Sequence, residues 1–295
     1  MDHHRGVATG PTAELAERTL GAWDALLDLA ATVPPEAVGR LAELGSWPER
    51  PVLGRLMAQA RGLGGRGFEA GGMEAGSLAP VPAEAPRRDH SGESRPEVMA
   101  ALGEARRRVA EALAEIAEQP RLALLELDSA LGPLPLLTQV HASAHEIAVA
   151  ALDCFPDRAA ARSGLDRAVT DAGIAALVDV VGALAYRQGV RAEAGVWGAG
   201  TGGWVFHADA DGWRTEPGNG GVPGIEGAAV TVLGVPTGRA ALPSLLAKGE
   251  IRLHRIGGLM ALAPLVEQVP GLPGGALLRR AVGVVGLLGR LPGLR

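Results

Sequence analysis

Apolar positions recur at helical spacing through the first half of the chain and at strand spacing through the second. Leu15, Trp23, Leu26, Leu27 and Ala30 fall near 3.6-residue intervals. They predict an amphipathic helix from Thr12, read as its N-cap, to about Thr32, with Pro34-Pro35 ending it. A short helix over about 36–44 follows. Ser46-Trp47-Pro48-Glu49 then reads as a capping box that opens a helix running to about Arg61. Periodicity disappears over 62–96, a stretch rich in Gly and later in Pro, which is expected to be poorly ordered or to cap the open end of a helical bundle. Ser94 or Pro96 opens the next helix, lasting to about Glu118, with Arg106-Arg107-Arg108 paired to Glu111 and Glu115 on a solvated face. A helical or irregular apolar segment covers 122–131, and Pro133 and Pro135 lead into a helix over about 136–155. The main helices before residue 156 make the number expected of a four-helix bundle.

Pro156-Asp157-Arg158 breaks this texture. Ser163 is read as the cap of a helix from about Leu165 to Arg187. Beyond it, Val190–Trp197, Gly203–Ala208, Gly227–Leu233 and Glu250–Ile256 read as strands, with a hairpin turn at Asp209-Ala210-Asp211-Gly212. Thr237–Ala247 and Gly258–Val269 read as helices. The pattern implies an all-α domain over 12–156, an α+β domain over 163–270 and a C-terminal helix over 274–295. Apolar residues surround that last helix on nearly all sides, with Arg279, Arg280, Arg290 and Arg295 bracketing them. It is expected to dock on the protein itself or to pair with its copy in a homodimer, with interfacial membrane binding as the rival.

Composition narrows the function classes. The chain has 295 residues, 47% hydrophobic and 21% charged, with a net charge of -5, which argues against a nucleic-acid partner. Aromatics make up 3%, so aliphatic side chains are expected to line any pocket. Cys154 is the single cysteine, which excludes an intramolecular disulfide and fits a reducing, cytoplasmic setting. No secretory signal and no transmembrane segment are read from the hydropathy.

Candidate chemistry concentrates on Gln139–Asp153. His141 and His145, four residues apart, could in principle chelate a metal, and Glu146 and Asp153 add carboxylates. At about 100° per residue, Ala142, Glu146, Val149, Ala150 and Asp153 cluster on one face, taken as the inward one. His141 and His145 then occupy a second face and are read as partly buried or surface residues. Ser143 points away from both histidines. The glycines of Gly195–Gly200 do not open a helix and so form no dinucleotide fingerprint. Cys154, at a helix C-terminus, is expected to be inert. His207 points away from Trp204 and Phe206 and is read as an exposed or edge residue.

Two segments resemble the mycothiol-dependent maleylpyruvate isomerase family, which has a DinB-type four-helix bundle followed by a sterol-carrier-like α+β domain. They are Gly45-Ser46-Trp47-Pro48 through Arg55-Leu56, and Glu146 through Asp153, which is similar to the family's E-x-x-x-H-x-x-D segment. Gly202-Gly203-Trp204-Val205, Asp211-Gly212-Trp213 and Leu245–His254 carry the resemblance into the second domain, although the family's G-x-I-x-V-x-G-D ends here without its Asp. The resemblance covers about residues 12–270. It implies a divalent metal, zinc, on a His, a Glu and a second His, positions that become Arg55, Glu146 and Ala150 in this chain. One carboxylate cannot hold zinc in a catalytic site. The expectation is therefore a family member with a degenerate metal site, in which Arg55, Glu146, Ala150 and Asp153 line a site for a small apolar or thiol-conjugated molecule. Arg55 and Glu146 are expected to pair where the metal would sit. The alternatives are an active zinc- and mycothiol-dependent isomerase or S-transferase, with the metal rebuilt from His141, His145, Glu146 or His90, and a membrane-surface or partner-binding protein.

Overall fold

The computed structural model describes residues 4–34, 37–38, 41, 93–127, 133–198, 202–235, 241–262 and 265. The expected helices over 36–44 and 46–61, the 62–92 part of the loop, and the 274–295 tail lie largely or wholly outside these residues. The chain divides into two compact units, Val7–Ala176 and Met1–Gly6 with Leu177–Arg295. One unit is helical and the other holds a mixed sheet. The division falls within a single helix, whereas the sequence pattern suggests a break at 156–163.

In the helical unit α1 spans Thr12–Thr32. Its N-cap is Pro11, with no side-chain cap, so Thr12 is the first helical residue rather than the cap. Leu15, Thr19, Ala22, Trp23, Leu26 and Ala30 are buried, a stripe worth roughly 1.5–3 kcal/mol for each large apolar side chain. α2, Arg95–Glu118, starts at a complete Ser94–Glu97 capping box. Arg95 donates to the carbonyls of Ala30, Ala31 and Val33, closing the end of α1 with a cation where the helix dipole favours one. Arg106 reaches Asp24 on α1 at 2.7 Å. The two helices therefore run antiparallel. A short antiparallel pair, β1 (Glu126–Leu127) with β2 (Leu134–Pro135), turns the chain into α3, Leu136–Asp153. Gln139 donates to the carbonyls of Leu127 and Leu134 and pins this connection.

Ser163 caps nothing. It lies inside a short helix, α4 (Arg158–Gly164), whose N-cap Asp157 accepts from the Ala160 amide at 2.8 Å. α5 then runs over Arg167–Arg187, with Asp166 accepting from the Ala168 amide. Among the described residues α5 alone is long and apolar enough to cross a membrane. Its apolar window is 72% buried inside the protein, the pattern of a core helix.

The sheet unit comprises β3 (Ala192–Gly198), β4 (Gly202–Ala208), β5 (Trp213–Pro217), β6 (Gly224–Gly227) and β7 (Ile251–His254), in the spatial order β5-β4-β3-β6-β7. The β3–β6 pair is parallel and the others are antiparallel. The expected hairpin turn is present, with the Asp209 side chain accepting from the amides of Asp211 and Gly212. Gly227–Leu233 is not a strand: β6 ends at Gly227 and Ala229–Leu233 forms a short helix, α6. Val230, Val232 and Leu233 are buried there, so a β-branched run was recruited to helix by the core it fills. The helix expected over Thr237–Ala247 is described as α7, Leu242–Ala247, and the one expected from Gly258 begins earlier, as α8, Ile256–Met260.

Alternation along the strands separates two faces. Trp204, Phe206 and Trp213 lie on the buried one. There Asp179, at the sheet-unit end of α5, accepts from the Trp213 indole at 2.9 Å and the Thr215 hydroxyl at 2.7 Å. The arm residue Arg5 stacks over Tyr186 at 4.5 Å and bonds its hydroxyl. Exposed His207 lies on the opposite face, between Glu193 and Glu216.

Candidate functional site

The helix expected to carry the chemistry is turned the other way. The buried residues of α3 include Leu137, Val140, His141, Ala144, Ile147, Ala148 and Ala151, spaced as one helical stripe. Ala142, Glu146, Val149, Ala150 and Asp153, taken as the inward face, are only half-buried. The larger apolar side chains decide the orientation, and they sit with His141 rather than with the carboxylates.

His141 is fully buried, and its Nδ1 lies 3.1 Å from the Thr19 hydroxyl on α1. Burial, reinforced by the charge of Arg18, lowers its pKa to about 3. The ring is therefore neutral at ordinary pH, and its Nε2 is buried without a hydrogen-bond partner. His145, one turn on, is half-buried. Arg55 and His90 lie outside the described residues, so the expected Arg55–Glu146 pair does too. Ala150 offers no donor atom, and no group of three or more His, Cys, Asp or Glu gathers among the described residues. The residues present do not fit the zinc centre that the family resemblance implies.

A concave site lies instead on the open face of the sheet unit. Register places Trp197 of β3 beside Glu226 of β6, and Glu226 beside Arg252 of β7, with His254 on the diagonal. These side chains form a row on one face. Glu226 accepts from His254 Nε2 at 2.7 Å, and Arg252 stands 4.0 Å from its other oxygen. The His254 ring leans on the Trp197 indole, with centroids 5.3 Å apart. Trp197, Glu226 and His254, with Gly198, Asn219–Val222 and Arg255, line a pocket of about 420 Å³, within the usual range for small-molecule sites. Trp197 forms its floor because Gly224 makes room: a Cβ there would stand 2.2 Å from the indole. The lining is glycine, polar groups, one indole and a single aliphatic side chain, Val222, not the aliphatic wall expected from composition.

Two further features mark the rim. Arg255 has φ +48°, the lone left-handed non-glycine residue among those described, a conformation that costs a residue with a Cβ roughly 1–2 kcal/mol. Asn219, Gly220 and Gly221 leave their backbone amides without protein partners among the described residues. None of this row was singled out from sequence. Glu226 and His254 are 28 residues apart, and only the parallel β3–β6 pairing and the β7 register bring them together with Trp197. The Asn219-Gly220-Gly221 turn was the one local signal.

No family model matches the chain, and no curated protein sequence matches it. Among solved structures it is similar to a crystal structure of a histidine-to-alanine mutant of mycothiol-dependent maleylpyruvate isomerase. That similarity has 14% sequence identity and a TM-score of 0.47, and covers 80% of this chain and 93% of that chain.

Proposed function

We propose that this protein is a small-molecule-binding relative of the maleylpyruvate isomerases that works without their zinc centre and takes its ligand in the sheet unit. The paired sequence segments around Arg55 and Glu146 support the relationship, and a DinB-like bundle with a sterol-carrier-like partner is its fold-level form. The loss of ligating side chains, with alanine at position 150, supports the absence of metal chemistry. The observation that carries the binding function is the pocket over Trp197, Glu226 and His254. It is concave, polar and built on strands, which hold side chains more rigidly than loops do. An apolar or thiol-conjugated molecule would lay its body on the indole.

The test is an amide-detected NMR titration of untagged, chelator-treated protein. The S-benzyl conjugate of mycothiol and a set of small aromatic acids and amides serve as probes. Saturable shifts of the Trp197 indole and the Gly220 and Gly221 amides are expected with at least one probe, with no zinc added. Shifts confined to α1 and α3, or appearing only after zinc is supplied, would overturn the proposal.

A further inference from the structure

The hydrogen-bonding inventory of the pocket is lopsided, and that imbalance says what the ligand carries. The lining holds one carboxylate, Glu226. It is already engaged, by His254 at 2.7 Å and by Arg252 at 4.0 Å, and its side chain is 16% exposed. An ionised carboxylate only accepts, so His254 Nε2 must be the donor in that pair. His254 and Arg252 together offset the pocket's one negative charge.

The donors that remain have no protein acceptor among the described residues. Arg255 lines the pocket, is exposed, and its guanidinium makes no hydrogen bond or ion pair with any of the described residues. It offers N–H groups in a fixed planar fork that matches a carboxylate or phosphate. The amides of Asn219, Gly220 and Gly221 are also unengaged among the described residues, and successive free backbone amides are a recurrent anion cradle. Gly220 and Gly221 have φ +139° and +81°, so glycine is what permits this run of backbone at the rim. The left-handed backbone of Arg255 belongs to the same rim, and strained residues of this sort cluster at ligand clamps. Opposite these donors lies the Trp197 indole, flat over Gly224, with Val222 beside it in one buried apolar cluster.

We propose that the pocket is a site for small organic acids. Arg255 and the Asn219–Gly221 amides hold the anionic head, the Trp197 floor takes a planar or apolar body, and the Glu226–His254 pair keeps the pocket's own carboxylate from repelling the acid. The inference rests on the pocket being the ligand site, and adds to it the sign of the ligand's charge. Solvent-facing donors on this wall, the exposed Arg255 guanidinium among them, favour an anionic head through charge-assisted hydrogen bonds, whereas a cationic head would meet the like charge of Arg255.

Three probes of one shape isolate the head group: 4-phenylbutyrate, 4-phenylbutyramide and 4-phenylbutylamine, titrated by calorimetry into the full-length protein and followed by the Gly220 and Gly221 amide signals. The acid is expected to bind at least tenfold more tightly than the amide, and the amine most weakly. Arg255→Gln should bring the acid's affinity down to that of the amide without lowering the melting temperature, and Arg255→Lys should recover part of the loss. His254→Ala, which releases Glu226 into the pocket, should weaken the acid and strengthen the amine. If the amide or amine binds as tightly as the acid at the same signals, the acid proposal fails while the pocket stands as a binding site. If none of the three moves those signals, both fail.

Discussion

Two histidines, one in each unit, show how far environment outweighs residue type. His141 belongs to a pair spaced like metal ligands, yet it sits fully buried against a threonine hydroxyl with its pKa lowered to about 3. His254 has no histidine near it in sequence, yet it stands in a pocket, bonded to a carboxylate and leaning on an indole. Spacing on a helix says which side chains could meet a shared ligand. It does not say whether the face that carries them meets a cavity or the packed core. In α3 the larger apolar residues claim the interior and take His141 with them, so its imidazole is a core residue that happens to be polar. In the sheet unit glycines at 195 and 224 leave the face shallow, and the side chains above them border space instead of filling it.

The comparison can be broken most severely by removing the large side chain beneath each site. Trp23→Ala in the helical unit and Trp197→Ala in the sheet unit should each cost about 3 kcal/mol or more by urea unfolding. Only Trp197→Ala should abolish the binding of small aromatic acids when measured under conditions where both variants are folded. Loss of binding in Trp23→Ala as well would sink the assignment of the site to the sheet unit.

The next effect is on pH. Unfolded His141 takes up a proton near 6.5, but the folded ring does so only at about 3. Between those values the unfolded state binds more protons, so stability falls as pH is lowered and is fully retained above about 6.5. The contribution is about 1.4 kcal/mol per pH unit, or roughly 2 kcal/mol between pH 6.5 and 5, a window above the usual carboxylate range. His141→Leu should flatten that slope. At pH 7 it should cost less than about 1 kcal/mol, because it also removes an unsatisfied nitrogen and frees Thr19 to bond its own helix backbone. An unchanged slope in the leucine variant would falsify the assignment of the acid sensitivity to this ring.

Smaller is the effect of Arg255→Gly. Relief of the left-handed backbone, about 1–2 kcal/mol, is set against the extra unfolded-state entropy of glycine, roughly 0.5–1 kcal/mol. A net gain of up to about 1.5 kcal/mol is expected, together with at least a tenfold loss of acid binding. Stability and function would then move in opposite directions at one residue, as they should where strain is held for a ligand. Smallest is Glu226→Gln, which preserves a hydrogen bond to His254 and removes the charge. Stability should change by less than about 1 kcal/mol because the hydrogen bond is kept, and acid binding should strengthen a few-fold in calorimetry. Weakened binding would mean that Glu226 itself contacts the ligand.

Much of the local structure follows from residues read in isolation. The helix over Thr12–Thr32, the start at Ser94 with its Glu97 partner, the turn at Asp209–Gly212 and the outward side of His207 all depend on interactions within a few positions, and the chain states those directly. Ser163 as a cap fails locally, because Asp157 and Asp166 accept the helix-start amides three and two residues on. Two other misreadings share one physical cause: Gly227–Leu233 as a strand and the carboxylate face of α3 as the interior are decided by contacts with distant chain, which outweigh propensities worth a few tenths of a kcal/mol. The same holds for the site. Sequence alone could determine that residue 150 lacks a metal-binding side chain and that two glycines stand at 220 and 221. Only the tertiary structure could set Thr19 against His141, 122 residues away, or align Trp197, Glu226 and His254 across β3, β6 and β7. Parallel pairing and strand register are written in no single segment, because they arise from which faces are buried once all the strands are in place.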